Sequence, residues 1–391
     1  MSTTSEAVER RLVLVVAAVV FADTLFFAAI APLLPELARE LHLSKLSAGV
    51  MTGAYALGTL LGSIPGGILA VRIGPKRTVY AGLALLGGST LAFGLLDNAA
   101  ALDVARFVEG VGGACTWAGG LAWLVAEAPA ERRGGLIGGA VGAAIAGALF
   151  GPVIGTIAVA VGRAAAFSGV VVLSILLIDQ VRRLPDAHPP SGQGMRHLVR
   201  AMRRPPVLSA MWLVVLPAAI AGMLSVLGSL RLHHLGFAAA AIGGTFLVAA
   251  ALEALISPAV GRLSDRRGRL LPLRFAMAGL SLLLACFTLP SVGVLLAVLI
   301  VAIACNLGAF WAPAMAMLSD ASEAAGLDQA LAAALMNLAW AAGQIVGSGG
   351  GGALAKTTGD AVPMGCAAAA CLATLVLVRE RWGRRPVVTP A

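Results

Sequence analysis

The amino-acid sequence predicts an all-α integral membrane protein, with twelve transmembrane helices arranged in two pseudo-symmetric bundles of six. Three observations lead to this fold class. Of the 391 residues, 59% are hydrophobic and only 12% are charged, which is about half the charged fraction of an average soluble protein. The apolar residues come in runs of about twenty, the length that an α-helix needs to cross a bilayer. A pattern of loop residues also occurs twice, about half a chain apart.

The apolar runs define the predicted spans. The first follows Arg10 and Arg11 and could be taken for a signal peptide, but it is longer than a secretory hydrophobic region and no small-residue cleavage site precedes more soluble sequence. We therefore expect it to remain as the first transmembrane helix. The twelve predicted spans are 12–35, 47–70, 78–96, 101–125, 135–160, 164–181, 207–231, 242–263, 270–289, 291–318, 329–352 and 361–378.

The polar stretch between the sixth and seventh spans predicts the domain organisation. Residues 182–206 are rich in proline, glycine and arginine, which is typical of a linker and leaves room for one short amphipathic helix on the membrane surface. We predict an N-terminal six-helix bundle at 1–181, a cytoplasmic linker at 182–206 and a C-terminal six-helix bundle at 207–391.

The positions of the cations predict the orientation. Most of the 28 lysines and arginines lie in loops on the same side as the two termini. The loops on the opposite side hold only Arg39, Lys45, Arg163, Arg231 and Lys356. The positive-inside rule therefore places both termini in the cytoplasm, and the net charge of +9 indicates orientation and no nucleic-acid partner. The excess of arginine over lysine is typical of a GC-rich bacterial genome, so we expect the inner (cell) membrane.

The duplicated loop follows the second and the eighth spans. Its first copy reads GILAVRIGPKR from Gly67, and its second reads GRLSDRRGR from Gly261. The leading glycines would let adjacent helices approach closely, and the later ones would permit a tight turn. The arginines can pair with carboxylates or with helix C-termini. The residues to which we assign a conformational role are Gly67, Arg72, Gly74, Gly261, Asp265, Arg266, Gly268 and Arg269.

The duplicated loop resembles the signature of the major facilitator superfamily of transporters. Two further segments are similar to motifs of that family. Arg106 and Glu109 begin a segment like its RxxQGxG pattern, with glutamate where glutamine is usual. Gly151 and Pro152 lie in GALFGPVIG, which resembles the GxxxGPxxG pattern of its proton-antiporting exporters. The first span, with Asp23, resembles the opening of twelve-helix drug and vesicular-amine antiporters. The resemblance implies two bundles that rock about a solute site between them.

The sequence departs from the family pattern at four further positions. In the first loop copy Val71 replaces an aspartate and Pro75 replaces an arginine, so the usual charge relay of that loop cannot operate in its ordinary form. The resemblance to vesicular-amine transporters implies carboxylates near Ser225 and Asn337, and neither residue is acidic.

Ionisable residues inside predicted spans are functional candidates, because they are costly in a bilayer. Asp23 lies midway along the first span and Glu253 midway along the eighth, and we assign both to substrate binding or proton coupling. Arg106 and Glu109 lie three residues apart on one helix face and can form a local pair, which would serve either structure or a proton relay.

Other polar and aromatic residues in the spans could line a cavity or simply bond and pack between helices. These cavity candidates are Asn306, Trp311, Asn337, Trp340 and Gln344. The glycine run at 347–352 is followed by Lys356, but no glycine directly precedes that lysine, so we expect helix packing and no phosphate loop.

Together these observations predict a secondary active transporter, namely a proton-coupled exporter (antiporter) of a lipophilic or cationic small molecule that works by alternating access. A major facilitator importer or a lipid or lysolipid flippase is the alternative, and an intramembrane enzyme or a receptor is a remote one. The sequence contains no catalytic set and no nucleotide fingerprint, so we expect no enzyme, no cofactor and no metal. The five cysteines lie in apolar runs, and we expect no disulfide. The expected partners are a small-molecule substrate, protons and the lipid bilayer, and we expect a monomer.

Overall fold

The computed structural model describes residues 3–127, 133–186, 195–327 and 329–378. Up to the linker the helices are α1 Thr3–Ala28, α2 Ile30–Glu40, α3 Lys45–Arg72, α4 Pro75–Leu95, α5 Ala99–Glu127, α6 Arg133–Val161 and α7 Arg163–Arg182. From the linker onward they are α8 Met195–Met202, α9 Pro205–Met223, α10 Ser229–His234, α11 Ala239–Arg267, α12 Leu270–Ala285, α13 Gly293–Ala324, α14 Gln329–Ile345, α15 Gly351–Thr358 and α16 Ala361–Leu377. Two π-helical turns connect helices end to end, Leu224–Gly228 after α9 and Val346–Gly350 after α14.

The described helices account for the twelve predicted spans. Eight stretches are long and apolar enough to cross a membrane, and α12 and α16 are shorter apolar helices. The eight include α1 with α2, and α9 with the π-helical turn and α10, as single spans. With α5 and the run from α14 to α15, six spans precede the linker and six follow it. The predicted fold class is therefore confirmed.

The chain divides into two compact units. One comprises Met1–Ser191 with Phe237–Leu247, and the other comprises Gly192–Gly236 with Val248–Ala391. The short segment 237–247 contains the first turns of α11. An added Cβ on Gly243 of that segment would collide with Thr156 of α6, so the start of α11 packs on α6 inside the first unit.

The first span is longer than predicted and is broken in the middle. The sequence predicted one helix at 12–35, whereas α1 and α2 continue to Glu40 and are interrupted at Ala29. There the Ala29 N–H bonds to the Phe26 carbonyl, three residues back, at 3.2 Å. Pro32 lacks the N–H that would bond to the carbonyl of Ala28, four residues back, and its ring crowds that carbonyl, which explains why the chain turns there.

A stripe of glycines on α6 holds that helix close to the first span. Gly147, Gly151 and Gly155 recur every four residues, and an added Cβ on any of them would collide with α1 or with the turn into α2. At Gly151, for example, the added atom would lie 2.7 Å from the Leu25 carbonyl oxygen. The absence of side chains at these three positions therefore allows α6 to pack closely on the first span.

A second glycine stripe repeats this arrangement in the other unit. Gly343, Gly347 and Gly351 also recur every four residues and face α9, where an added Cβ on Gly347 would lie 2.7 Å from the Cα of Ala219. The packing expected of the glycine run at 347–352 is confirmed. The stripe begins in α14 and passes through the π-helical turn into α15, a local unwinding that often marks a functional segment.

The third span of each half caps the sixth. Lys76 at the start of α4 donates to the Leu184 carbonyl at 2.6 Å, beyond the end of α7. Arg274 on α12 donates to the Val378 carbonyl at 3.2 Å, at the end of α16. A cation at a helix C-terminus satisfies its free carbonyls and complements its dipole. The same type of contact, a cation of the third span at the C-terminal end of the sixth, therefore occurs in both halves, and the loop pattern in the sequence did not predict it.

Local turn chemistry agrees with the predictions. Gly74 and Gly268 have φ angles of 94° and 87°, a region that glycine enters without steric cost, so the predicted tight turns are confirmed. The linker contains the one expected amphipathic helix, α8. Its residues Leu198 and Ala201 are buried in a core cluster with Val207 of α9 and other apolar residues of the second unit.

Candidate functional site

The carboxylate of Asp23 is the centre of the candidate site. Asp23 lies on α1 and has no solvent exposure. The Tyr55 hydroxyl, on α3, lies 3.0 Å from both carboxylate oxygens. The Trp117 indole N–H, on α5, donates to Oδ2 at 3.2 Å. Three helices of the first unit thus converge on one ionisable group, as a polar group buried inside a membrane protein requires.

The site depends on a glycine that faces it. An added Cβ on Gly113 of α5 would lie 2.6 Å from Asp23 Oδ1 and 2.8 Å from the Tyr55 hydroxyl. Sequence reasoning identified Asp23 but missed Gly113, Tyr55 and Trp117. A usable signal existed for Tyr55, because it is one of only two tyrosines in the chain and lies in the middle of an apolar span.

Arg106 and Glu109 form the predicted local pair. Both residues are buried, and Arg106 Nη1 lies 3.0 Å and 2.9 Å from the two carboxylate oxygens of Glu109. The guanidinium also donates, over longer distances of 3.5 Å and 3.4 Å, to the carbonyls of Phe26 and Phe27. Phe26 and Phe27 lie directly before the break at Ala29, so Arg106 also contacts the backbone next to that break.

The pair is connected to Asp23 through an aromatic ring. The Arg106 guanidinium carbon lies 5.1 Å from the centroid of the Tyr55 ring, within the range of a cation–π contact, and the Tyr55 hydroxyl contacts Asp23. The cavity beside Arg106 and Glu109 measures only about 10 Å³, which is room for at most one water molecule. This end of the cluster therefore suits protons better than a solute.

The cluster has an uneven charge. With both carboxylates ionised, Asp23 and Glu109 carry two negative charges against the single positive charge of Arg106. Among the described residues no further cation lies in contact with Asp23. A net negative charge in a low-dielectric interior is unfavourable, so the cluster has a physical reason to take up one proton or one cation.

Glu253 occupies a different environment in the second unit. It is half-buried on α11 and lies against Gly308 of α13, where an added Cβ would come within 3.0 Å of the Glu253 Cγ. Nearby, the Ser257 hydroxyl donates to the Gly308 carbonyl at 3.1 Å. Within the described part of the chain Glu253 forms no hydrogen bond or ion pair, as expected from its apolar sequence neighbours. Its proton or cation role stays a prediction.

Several cavity candidates have packing contacts within the second unit. Asn306 donates to the Ala302 carbonyl of its own helix at 3.0 Å and lies against Gly279 of α12. Gln344 is buried against Gly222 of α9, where an added Cβ would lie 2.6 Å from Oε1. These contacts are the ones expected if such residues bond and pack between helices.

The remaining three cavity candidates, Trp311, Trp340 and Asn337, are all partly buried. Trp311 and Trp340 are partly buried against the core cluster that includes Leu198 of α8. Asn337 is half-buried on α14. Their assignment to a substrate cavity stays a prediction.

The leading glycines of the loop motif do not have the role that we assigned to them. Among the described residues, no atom lies within 4 Å of a Cβ added on Gly67 or on Gly261, so the predicted close helix approach at these two positions is wrong. On α3 the close contact falls one residue earlier, at Gly66, where an added Cβ would lie 3.3 Å from the Ala114 carbonyl oxygen of α5. One residue along a helix turns the side chain by about 100°, which takes Gly67 off the packed face.

The arginines of the loop motif differ in their contacts. Arg269 forms an ion pair with Asp320 of α13, with distances of 2.5 Å and 3.1 Å between nitrogen and oxygen, which confirms the predicted pairing with a carboxylate. Arg72 and Arg266 are exposed. The side chain of Asp265 lies outside the described residues.

Comparison with known proteins identifies the family. A family model described as Major Facilitator Superfamily matches residues 16–327. The chain is 33% identical over 102 residues to the 4-hydroxybenzoate transporter PcaK of Pseudomonas putida, covering 26% of this chain and 23% of that protein. It is 26% identical over 257 residues to the uncharacterized MFS-type transporter YcaD of Escherichia coli O45:K1, covering 64% of this chain and 66% of the relative. The chain thus spans less than two thirds of the length of these curated relatives.

A solved structure shares the fold over nearly the whole chain. It is the crystal structure of a bacterial homolog to the human lysosomal transporter Spinster, in an inward-facing and unoccupied conformation. The TM-score is 0.71, the sequence identity is 15%, and the match covers 96% of each chain. At this identity the likeness concerns the fold alone.

Proposed function

The chain belongs to the major facilitator superfamily, and from that premise we propose that it is a membrane transporter of a small molecule and, more specifically, a proton-coupled exporter. In this proposal a lipophilic or cationic compound leaves the cell by alternating access while protons enter. The protein would lie in the inner membrane with both termini in the cytoplasm, as the distribution of lysine and arginine predicts.

The observation that carries the proposal is the buried cluster around Asp23. Its formal charge with both carboxylates ionised is negative by one unit, and it has little room for water. Uptake of one proton neutralises it, and so does the approach of one cationic group. Two ligands that neutralise the same charge compete, and such competition is the simplest basis for exchanging a proton for a cation.

The same cluster disfavours an anionic substrate. One relative transports 4-hydroxybenzoate, which would require an available cation in its site. Here Arg106 is already bonded to Glu109 through both carboxylate oxygens. The two remaining intramembrane candidates, Asp23 and Glu253, are both carboxylates. The glycines and Pro152 of α6, which resemble the exporter motif, favour export over import.

Transport of a fluorescent cation tests the proposal. Inverted membrane vesicles with an acidic interior should accumulate ethidium, and Asp23→Asn should abolish the part of the uptake that depends on the pH gradient while its folded yield is kept. Asp97→Asn is the matched control, because Asp97 is an exposed acid at a helix end that pairs with Arg163 at 2.6 Å. Asp97 is exposed and lies far from Asp23 along the fold, and an ion pair with an exposed carboxylate contributes little to stability, so uptake by this variant should equal that of the wild type.

Two results would contradict the proposal. Wild-type uptake that is unchanged when nigericin collapses the pH gradient would exclude proton coupling. Export of a lipid probe, or gradient-driven movement of ethidium in the opposite direction, would favour a flippase or an importer instead.

A further inference from the structure

The linker helix α8 has two chemically different faces. Leu198 and Ala201 are buried in the core cluster of the second unit. Arg196 and Arg200, four residues apart, share the opposite face of α8, Arg203 directly follows the last residue of the helix, and all three arginines are exposed. We call these three residues the arginine face. The buried side attaches α8 to the unit, and the arginine face is left to contact something else.

The charge of the arginine face is not balanced by the protein. The chain has no aspartate or glutamate between Asp186 and Glu253. Within the described residues none of the three arginines of the face forms an ion pair or a hydrogen bond. The next residue, Arg204, belongs to the fold, because it donates to the Ala324 carbonyl of α13 at 3.4 Å.

The core cluster that buries Leu198 and Ala201 of α8 also contains residues from the ends of α13 and α14. The acidic residues to consider as partners of the arginine face are therefore those around the connection between these two helices. Asp320 is engaged by Arg269. Glu323 is exposed and forms no ion pair within the described part of the chain. Asp328 lies outside the described residues. At most two carboxylates are therefore available in that connection, and the only one described does not contact the arginine face.

The position of α8 places the arginine face at the membrane boundary. Only Arg203 and Arg204 separate α8 from α9, which is a membrane span. In the first two turns of α9, Leu208 is 51% exposed and Trp212 is 44% exposed, and tryptophan is enriched where the hydrocarbon meets the headgroups. On α8 itself, Val199 is 43% exposed among the arginines. A helix with exposed arginines around an exposed apolar side chain suits the headgroup region of a bilayer.

We propose that the arginine face binds the headgroup phosphates of anionic phospholipids and thereby holds the linker on the membrane surface. Guanidinium groups bind phosphate through two parallel hydrogen bonds. Basic residues beside a span are attracted to anionic lipid over roughly a Debye length. The contact leaves the core side of α8 undisturbed, so this role is independent of the direction and the coupling of transport.

Lipid titration of the purified full chain tests the proposal. The protein in a neutral detergent is titrated with phosphatidylglycerol, with phosphatidylcholine and with inorganic phosphate, and the thermal unfolding temperature is recorded. A ligand that binds only the folded state raises this temperature. We expect phosphatidylglycerol alone to raise it, and high salt to remove the effect.

The variant Arg196→Gln/Arg200→Gln/Arg203→Gln should weaken the response to phosphatidylglycerol. Each arginine near an anionic surface strengthens binding by about fivefold, so the midpoint of the titration should move by at least about tenfold. The matched control, Arg10→Gln/Arg77→Gln/Arg267→Gln, removes the same amount of positive charge. Its three arginines are exposed, lie in different parts of the chain and form no ion pair among the described residues. The control should titrate like the wild type.

Three results would overturn the proposal. The first is an equal response to phosphatidylcholine, which would indicate ordinary solvation by lipid. The second is an equal response to inorganic phosphate, which would indicate a site for a soluble anion. The third is a titration midpoint for the α8 variant that equals that of the wild type, or a shift of the midpoint that is equally large in the control variant. If the α8 variant fails to fold, the single variants Arg196→Gln and Arg200→Gln, compared with Arg10→Gln, decide the question with an expected shift of about fivefold.

Discussion

The most direct test of the buried cluster is Gly113→Ala. The new methyl group would lie 2.6 Å from Asp23 Oδ1 and 2.8 Å from the Tyr55 hydroxyl, whereas ordinary contact begins at 3.4 Å. Overpacking of this kind costs about 1–3 kcal/mol, and a buried polar group that loses its partner costs a further 1–3 kcal/mol or so. Alanine regains about 1 kcal/mol over glycine through its helix propensity. We therefore expect a net loss of about 3 kcal/mol in the free energy of unfolding.

The assay compares Gly113→Ala with Gly88→Ala. Gly88 lies on α4, is exposed, and would place its Cβ with no atom within 4 Å, so that variant measures helix propensity alone. Equilibrium unfolding in mixed detergent micelles, followed by tryptophan fluorescence, gives the two free energies. Gradient-driven ethidium uptake gives a second readout, because displacement of Asp23 from Tyr55 should also weaken the response to the pH gradient.

The reasoning would be refuted by equal behaviour of the two variants. If Gly113→Ala unfolds at the same denaturant concentration as Gly88→Ala and keeps a wild-type response to the gradient, the contacts around Asp23 do not hold the site together. Gly113→Ala could also be destabilised and still keep the full response to the pH gradient. In that case Gly113 matters for packing around Asp23, and the predicted effect on proton coupling is refuted.

Three further predictions concern other parts of the chain. An impermeant maleimide applied to intact cells should label Ser291→Cys and spare Ser191→Cys on a cysteine-free background, and the reverse pattern would overturn the topology. Glu253→Gln should weaken binding of ethidium more than that of the neutral dye Nile red and flatten its pH dependence, and binding curves identical to the wild type would make Glu253 structural. Gly347→Ala should lower the stability by about 1–3 kcal/mol through contact with α9, whereas Gly349→Ala, with open space around its Cβ, should not.

Much of the fold was predictable because it depends on local chemistry. The length and polarity of each apolar run decide whether a helix can cross a bilayer, since every backbone polar group must be satisfied inside the helix. Gly74 and Gly268 mark tight turns because few other residues adopt positive φ angles. Arg106 and Glu109 were paired correctly since residues three apart share one helix face.

The sequence analysis expected packing from the glycine run at 347–352, but it did not recognise the four-residue spacing of the second glycine stripe, which the same reasoning could have found. Gly343, Gly347 and Gly351 repeat the four-residue spacing of Gly147, Gly151 and Gly155 at the corresponding place in the other half of the chain. Spacing alone predicts that they share a helix face. It does not predict that α9 is the partner, and the absence of a proline comparable to Pro152 hides the similarity.

The sequence by itself determined that this is a twelve-span membrane protein of a known family, which residues in its spans are ionisable, and where its turns lie. Only the tertiary structure decided what those residues contact. Asp23 bonds to Tyr55 and Trp117, which lie far away along the chain, whereas Gly67 faces no neighbouring helix within the described part of the chain. The physical reason is that each helix inserts into the bilayer according to its own composition. The partner of a buried side chain instead depends on which helix lies opposite and on the rotation of that helix about its axis. The periodicity within a single span contains no information on either.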